Sequence, residues 1–85
     1  VKWRTRFEPG AQADIRKIDR RPALAILRKL AELEADPYAF GTTELVERPG
    51  VRRLRVGSYR IFYTLENDEL VVWVIAVAHR STAYQ

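Results

Sequence analysis

Residues 51–65 read VRRLRVGSYRIFYTL, and the alternation along them decides the fold. Successive side chains of a strand point to opposite faces, so Val51 to Val56 sets Leu54 and Val56 on one side and Arg53 and Arg55 on the other. Gly57–Ser58 supplies a two-residue turn of the II′ kind, with glycine at the first central position. The chain returns from Tyr59 to Leu65 as a second strand, with Tyr59, Ile61 and Tyr63 on one face and Arg60 on the other. Docking Ile61 and Tyr63 beside Leu54 and Val56 makes a core face. Arg53, Arg55 and Arg60 then share the opposite, open face.

Downstream, Glu66–Asn67–Asp68–Glu69 reads as a turn and Leu70 to His79 as a third strand. That strand is apolar on both faces, with Val71, Trp73, Ile75 and Val77 against Leu70, Val72, Val74 and Ala76. Such a pattern predicts a place inside the sheet, covered on one side by helices. Upstream, Arg48–Pro49–Gly50 is a turn, Glu44 to Glu47 reads as a short strand or as irregular chain, and Tyr38 to Thr43 is a connector. Before these lies an apolar stripe at helical spacing, Ala23, Ile26, Leu27, Leu30 and Leu33, with Pro22 in its first turn and Asp36–Pro37 as its stop. Ala11, Ile15 and Ile18 repeat the helical period after Pro9, a residue suited to a first helical position. Two helices joined so closely predict an antiparallel hairpin. At the start, Lys2, Arg4 and Arg6 alternate with Trp3, Thr5 and Phe7 as a half-buried strand with one basic face. The predicted fold is α+β: an N-terminal strand, an antiparallel two-helix hairpin and a three-stranded antiparallel meander, in a single domain over residues 1–85.

The charge is unevenly spread. The chain is net +4, yet Lys2, Arg4, Arg6, Arg48, Arg52, Arg53, Arg55, Arg60 and Arg80 leave the remainder at −5. Cations gathered in this way suit a polyanion, either nucleic acid or an acidic protein segment; a solvated basic face is the plainer reading. Without cysteine, and with His79 as the one histidine, the chain carries no thiolate or histidine-cluster metal site, and no cofactor is expected. No run approaches the roughly 18 apolar residues of a membrane span. Trp3 and Phe7 alternate with charges where a secretory signal would have an apolar block, so a cytoplasmic protein is expected.

The sequence of elements, together with Leu54–Arg55–Val56–Gly57–Ser58–Tyr59–Arg60–Ile61–Phe62–Tyr63 and Val77–Ala78–His79–Arg80–Ser81–Thr82–Ala83–Tyr84, resembles the RelE/ParE toxin superfamily. The opening Phe7–Glu8–Pro9–Gly10–Ala11 and the Asp36–Pro37 stop fit as well, so the resemblance spans essentially the whole chain. It implies a toxin held inactive by an antitoxin. The RelE-type branch implies a metal-independent endoribonuclease that cuts messenger RNA in the ribosomal A site. There the ribose 2′-hydroxyl attacks the adjacent phosphate, leaving a cyclic phosphate and a 5′-hydroxyl, and guanidinium groups stabilise the charge that builds up.

By that resemblance Arg60 and Arg80 match two catalytic arginines, Arg53 falls where RelE-type toxins place a catalytic lysine, and Tyr84 matches a C-terminal tyrosine able to stack on a displaced base or orient the attacking hydroxyl. Val51 stands where some members carry a second lysine, which leaves the proton acceptor open, since arginine is a poor base. His79 has two readings: a proton carrier, the one imidazole of the chain, or a cap on the last strand with its ring partly buried. Arg52, Arg55, Lys2, Arg4 and Arg6 are expected on the RNA backbone, ribosomal RNA or the antitoxin; for the first strand, charges that guard an edge against aggregation read equally well. The partners implied are an antitoxin with an acidic, partly disordered segment, the ribosome and its messenger, and DNA only through the antitoxin complex. The rival readings are a ParE-type inhibitor of DNA gyrase on the same fold, a non-catalytic homologue acting only with its antitoxin, and a generic nucleic-acid-binding domain.

Overall fold

The computed structural model describes residues 2–39 and 41–81. Its elements are β1 (Arg4–Phe7), α1 (Pro9–Arg16), α2 (Arg20–Leu33), β2 (Thr42–Glu44), β3 (Arg52–Val56), β4 (Tyr59–Glu66) and β5 (Val71–His79). The five strands form one sheet in the order β1-β5-β4-β3-β2, with β1 parallel to β5 and every other pair antiparallel. A strand that enters beside β5 and runs parallel to it needs a long crossover, and both helices lie within that crossover. They cover one face: α1 lies along β5 and touches β1, and α2 lies over β3.

The meander has four strands, one more than the alternation predicts. Thr42–Glu44 adds to β3 through Thr42↔Leu54, Thr43↔Arg53 and Glu44↔Arg52. A three-residue polar strand carries no alternation to read. The following stretch at 45–50 is bent, not extended, and returns through Leu45 N–H to the Val51 carbonyl (2.9 Å) and Val51 N–H to the Arg48 carbonyl (3.1 Å).

Ala11 from α1 and Ile26, Leu30 and Leu33 from α2 meet Leu54, Ile61, Tyr63, Val72, Val74 and Val77 in the core. The α2 stripe is narrower than its sequence suggests, because Ile26, Leu30 and Leu33 fill the buried arc and Leu27 is left 44% exposed. Tyr63 is fully buried and spends its hydroxyl on the Pro37 carbonyl at 2.7 Å, which also ties down the chain after α2. Gly57 takes φ of 58° while Ser58 stays out of the left-handed region, as the II′ turn requires.

The strand β5 is interrupted. Phe62 pairs with Ala76 and Tyr63 with Val74, so Ile75 is an extra residue with no partner across β4. This bulge shifts the alternation by one. Val72 and Val74 share the helix-covered face with Val77 and His79, whereas an unbroken period would group Val77 with Ile75 and Val71.

Candidate functional site

On the sheet face turned away from the helices, the pleat collects arginines from three strands. Leu54 and Ile61 pair in the core, so Arg53, Arg55 and Arg60 point the other way. Arg55 stands directly across from Arg60, Arg53 across from Phe62, and Ala78 of β5 lies beside Arg60. In β1, Thr5 and Phe7 pair with the core residues Val72 and Val74, which puts Arg4 and Arg6 on the arginine face as well, beside Val71 and Trp73. Arg80 follows the end of β5, where its N–H donates to the Ser58 carbonyl at 2.6 Å. That bond fixes the Arg80 backbone against the hairpin that joins Arg55 to Arg60.

Arg60 is the unusual member. It is only 5% exposed, its Nη1–H reaches the Tyr59 carbonyl at 3.4 Å, and its Nε is buried with no hydrogen-bond partner. Among the described residues the ion pairs are Lys2–Glu34 at 3.7 Å and Lys29–Glu32 at 3.5 Å, so no carboxylate neutralises Arg60. A buried charge without a counter-ion is costly. Arg53 is half-buried beside it, and Arg55 is exposed.

Three expected members lie elsewhere. Arg52 shares the parity of Leu54 and faces the helix side, where it donates from Nη2 to Thr42 Oγ1 (2.9 Å) and lies 5.0 Å from the Tyr38 ring centroid. Lys2 is drawn to Glu34. His79 pairs with Tyr59, and the two rings meet edge to face at 5.2 Å, so the bulge delivers the imidazole to the face opposite Arg60. The Ser81 N–H donates to His79 Nδ1 at 3.2 Å, with Ser81 Oγ 2.9 Å from the same nitrogen. Tyr84 lies outside the described residues. Val51, in place of a lysine, is buried.

One residue that the sequence does not single out joins this frame. Asp14 of α1 accepts the Val77 N–H at 3.0 Å, just past the bulge. In the sequence it reads as an ordinary polar position of a short helix. Among the described residues no cluster of histidine, cysteine and carboxylates has the makings of a metal site, and no helix is long and apolar enough to cross a membrane.

The profile of the family described as the ParE toxin of type II toxin-antitoxin systems, parDE, matches residues 5–84. Toxin RelG of Mycobacterium tuberculosis is 26% identical over 84 residues, which is 98% of this chain and 97% of that protein. A chain from a crystal structure of a RelBE-type toxin-antitoxin complex of the same organism superposes with a TM-score of 0.85 at 26% identity, covering 94% of this chain and all of that one. A variant of the Escherichia coli toxin RelE in the free state shares the fold at a TM-score of 0.83 and 22% identity, covering 99% and 90%.

Proposed function

The chain belongs to the ParE toxin family of type II toxin-antitoxin systems, within the RelE/ParE superfamily, and we propose that its arginine face cleaves messenger RNA in the ribosomal A site. The observation that carries this reading is Arg60: a guanidinium buried without a carboxylate partner among the described residues, on one sheet face with Arg53 and Arg55. In the proposed reaction the ribose 2′-oxygen attacks the adjacent phosphorus while the bond to the 5′-oxygen breaks. The products are a 2′,3′-cyclic phosphate and a 5′-hydroxyl, the departing oxygen taking up one proton as the attacking hydroxyl gives up another. Negative charge grows on the non-bridging oxygens, and Arg60 and Arg80, with Arg53, are assigned to meet it. A donor already held in place costs no reorganisation at that moment, so the burial of Arg60 works in favour of the rate. Tyr84 is assigned to stack on a displaced base or to orient the attacking hydroxyl.

The arginine cluster offers charge without a base that works near neutrality, and His79 lies on the other side of the sheet. Positioning of the RNA must therefore supply much of the acceleration, which is the reason for assigning the ribosome as obligatory partner. Free RNA is expected to be cut slowly or not at all. The protein partner is assigned as an antitoxin, the kind of partner named for the similar Mycobacterium complex; its segment over the arginines is assigned as acidic and initially disordered.

The test uses purified protein, programmed ribosomes and a labelled messenger, with Arg80→Ala as control. Cleavage confined to the A-site codon and lost in the variant supports the reading. The family profile also favours a second reading, a gyrase-binding toxin. A folded protein that leaves the messenger intact and blocks supercoiling by gyrase would establish that one instead.

A further inference from the structure

The strand β5 comes alongside Arg60 and leads to Arg80 only after its irregular stretch, and something must hold that last part in place. The strand β1 accompanies β5 no further than Phe7↔Val74; Glu8 N–H then closes on the Val74 carbonyl at 3.0 Å and the chain departs into α1. Beyond that point Ile75 is extra, and the register with β4 resumes at Phe62↔Ala76, Ile61↔Val77, Arg60↔Ala78 and Tyr59↔His79. The first N–H past the bulge on the side β1 has left is that of Val77, and Asp14 Oδ2 takes it at 3.0 Å, from 63 residues away in sequence. Asp14 is half-buried and makes no ion pair among the described residues, so its carboxylate is committed to this backbone bond. Three residues later Arg80 is tied to Ser58 across the other edge.

We propose that Asp14 is a positioning residue for the catalytic face: it pins the bulged end of β5 in register with β4 and thereby sets Arg80 against Arg60. This rests on the reading of that face as the RNA-cleaving site. The physical basis is that a β-bulge removes a rung of the ladder, and the strand end beyond it is the part most ready to fray. On the side that β1 has left, a side chain from α1 takes the Val77 N–H in place of a strand. Displacing a catalytic group by about 1 Å can cost on the order of 10²-fold in rate, so a bond that contacts no substrate acts on the chemical step and leaves binding alone.

The experiment compares wild type, Asp14→Asn, Asp14→Ala and Asp14→Glu in the full chain. Single-turnover cleavage on programmed ribosomes is measured beside amide hydrogen exchange followed by NMR. The asparagine oxygen can accept the same bond, so Asp14→Asn is expected within about threefold of wild type. Asp14→Ala should lose about 10- to 100-fold in kcat with KM changed by less than about twofold, and its Val77 and Arg80 amides should exchange at least about tenfold faster. Asp14→Glu keeps the charge but oversteps the bond by one methylene; it should fall between the two, and it carries the test if the alanine variant does not fold. Wild-type rates and wild-type exchange in Asp14→Ala, or an Asp14→Asn variant as impaired as Asp14→Ala, would overturn the proposal. If the wild type itself cuts no messenger, the ribonuclease reading fails separately, and exchange at Val77 and Arg80 alone decides whether Asp14 holds the strand end.

Discussion

Arg55 and Arg60 face each other directly across β3 and β4, two arginines on one rung, and neither makes an ion pair among the described residues. Like charges directly opposite are destabilising, and Arg60 adds the cost of burying a charge unpaired. The fold alone gains nothing from this pairing, so stability and activity should part at this rung. Arg60→Met keeps the bulk of the stem and removes the charge. Urea unfolding is expected to show a gain of about 1 to 3 kcal/mol. A-site cleavage should fall by about 10² to 10³, the cost of losing a preorganised donor to developing charge. A less stable Arg60→Met protein would show that the guanidinium serves the fold.

A pre-charged face should bind RNA backbone even where it cuts slowly. A short oligonucleotide with a 2′-deoxy position at the scissile step is expected to raise the unfolding free energy by about 2.7 kcal/mol at a hundred times its Kd. Binding should weaken with salt, and each phosphate contact to a single strand contributes about 0.7 to the slope of log K against log salt. Arg53→Ala and Arg55→Ala should each lower that slope by about 0.7. Arg52→Ala, whose side chain lies under Tyr38 on the helix side, should leave it unchanged. Equal slopes for all three variants would mean that the two faces do not divide the arginines as described.

On the helix side the most exacting bond is Tyr63 Oη to the Pro37 carbonyl, 2.7 Å long and buried at both ends. Tyr63→Phe preserves the ring and strands a buried carbonyl, for an expected loss of about 1 to 2 kcal/mol. For a chain of this size each kcal/mol corresponds to about 4 to 8 °C in Tm, which calorimetry resolves readily. Because Tyr63 faces away from the arginines, cleavage measured well below Tm should stay near wild type. A large loss of rate at unchanged stability would contradict that separation.

The arginine face was legible because β3 and β4 follow strict alternation around a recognisable Gly57–Ser58 turn, so parity alone sorts Arg53, Arg55 and Arg60 from Leu54, Ile61 and Tyr63. Three things escaped the sequence for different reasons. The bulge at Ile75 has no marker in a run of nine apolar residues, where each face looks as buried as the other, and missing it groups Val77 with Val71 and Ile75 instead of with Val72 and Val74. The strand β2 is three polar residues whose pairing depends on β3 being there to receive them. The burial of Arg60 was also hidden, because a sequence shows which face a charge takes but not how deeply the neighbours enclose it.

The pleat separates two residues that the sequence places one after the other, His79 and Arg80. His79 leaves β5 toward Tyr59 on the helix side, with Nδ1 accepting from the Ser81 N–H, while the backbone of Arg80 is held at the hairpin. A proton carrier for the 2′-hydroxyl would have to reach across the sheet, and an imidazole turned toward Tyr59 does not. His79→Gln is therefore expected to lower A-site cleavage by less than about tenfold, through a looser strand end, whereas Arg80→Ala should lose about 10² to 10³. Measuring both variants under single-turnover conditions on the same programmed ribosomes keeps product release out of the comparison. If His79→Gln falls as far as Arg80→Ala, the imidazole acts in the chemical step, and the end of β5 must rearrange when RNA binds.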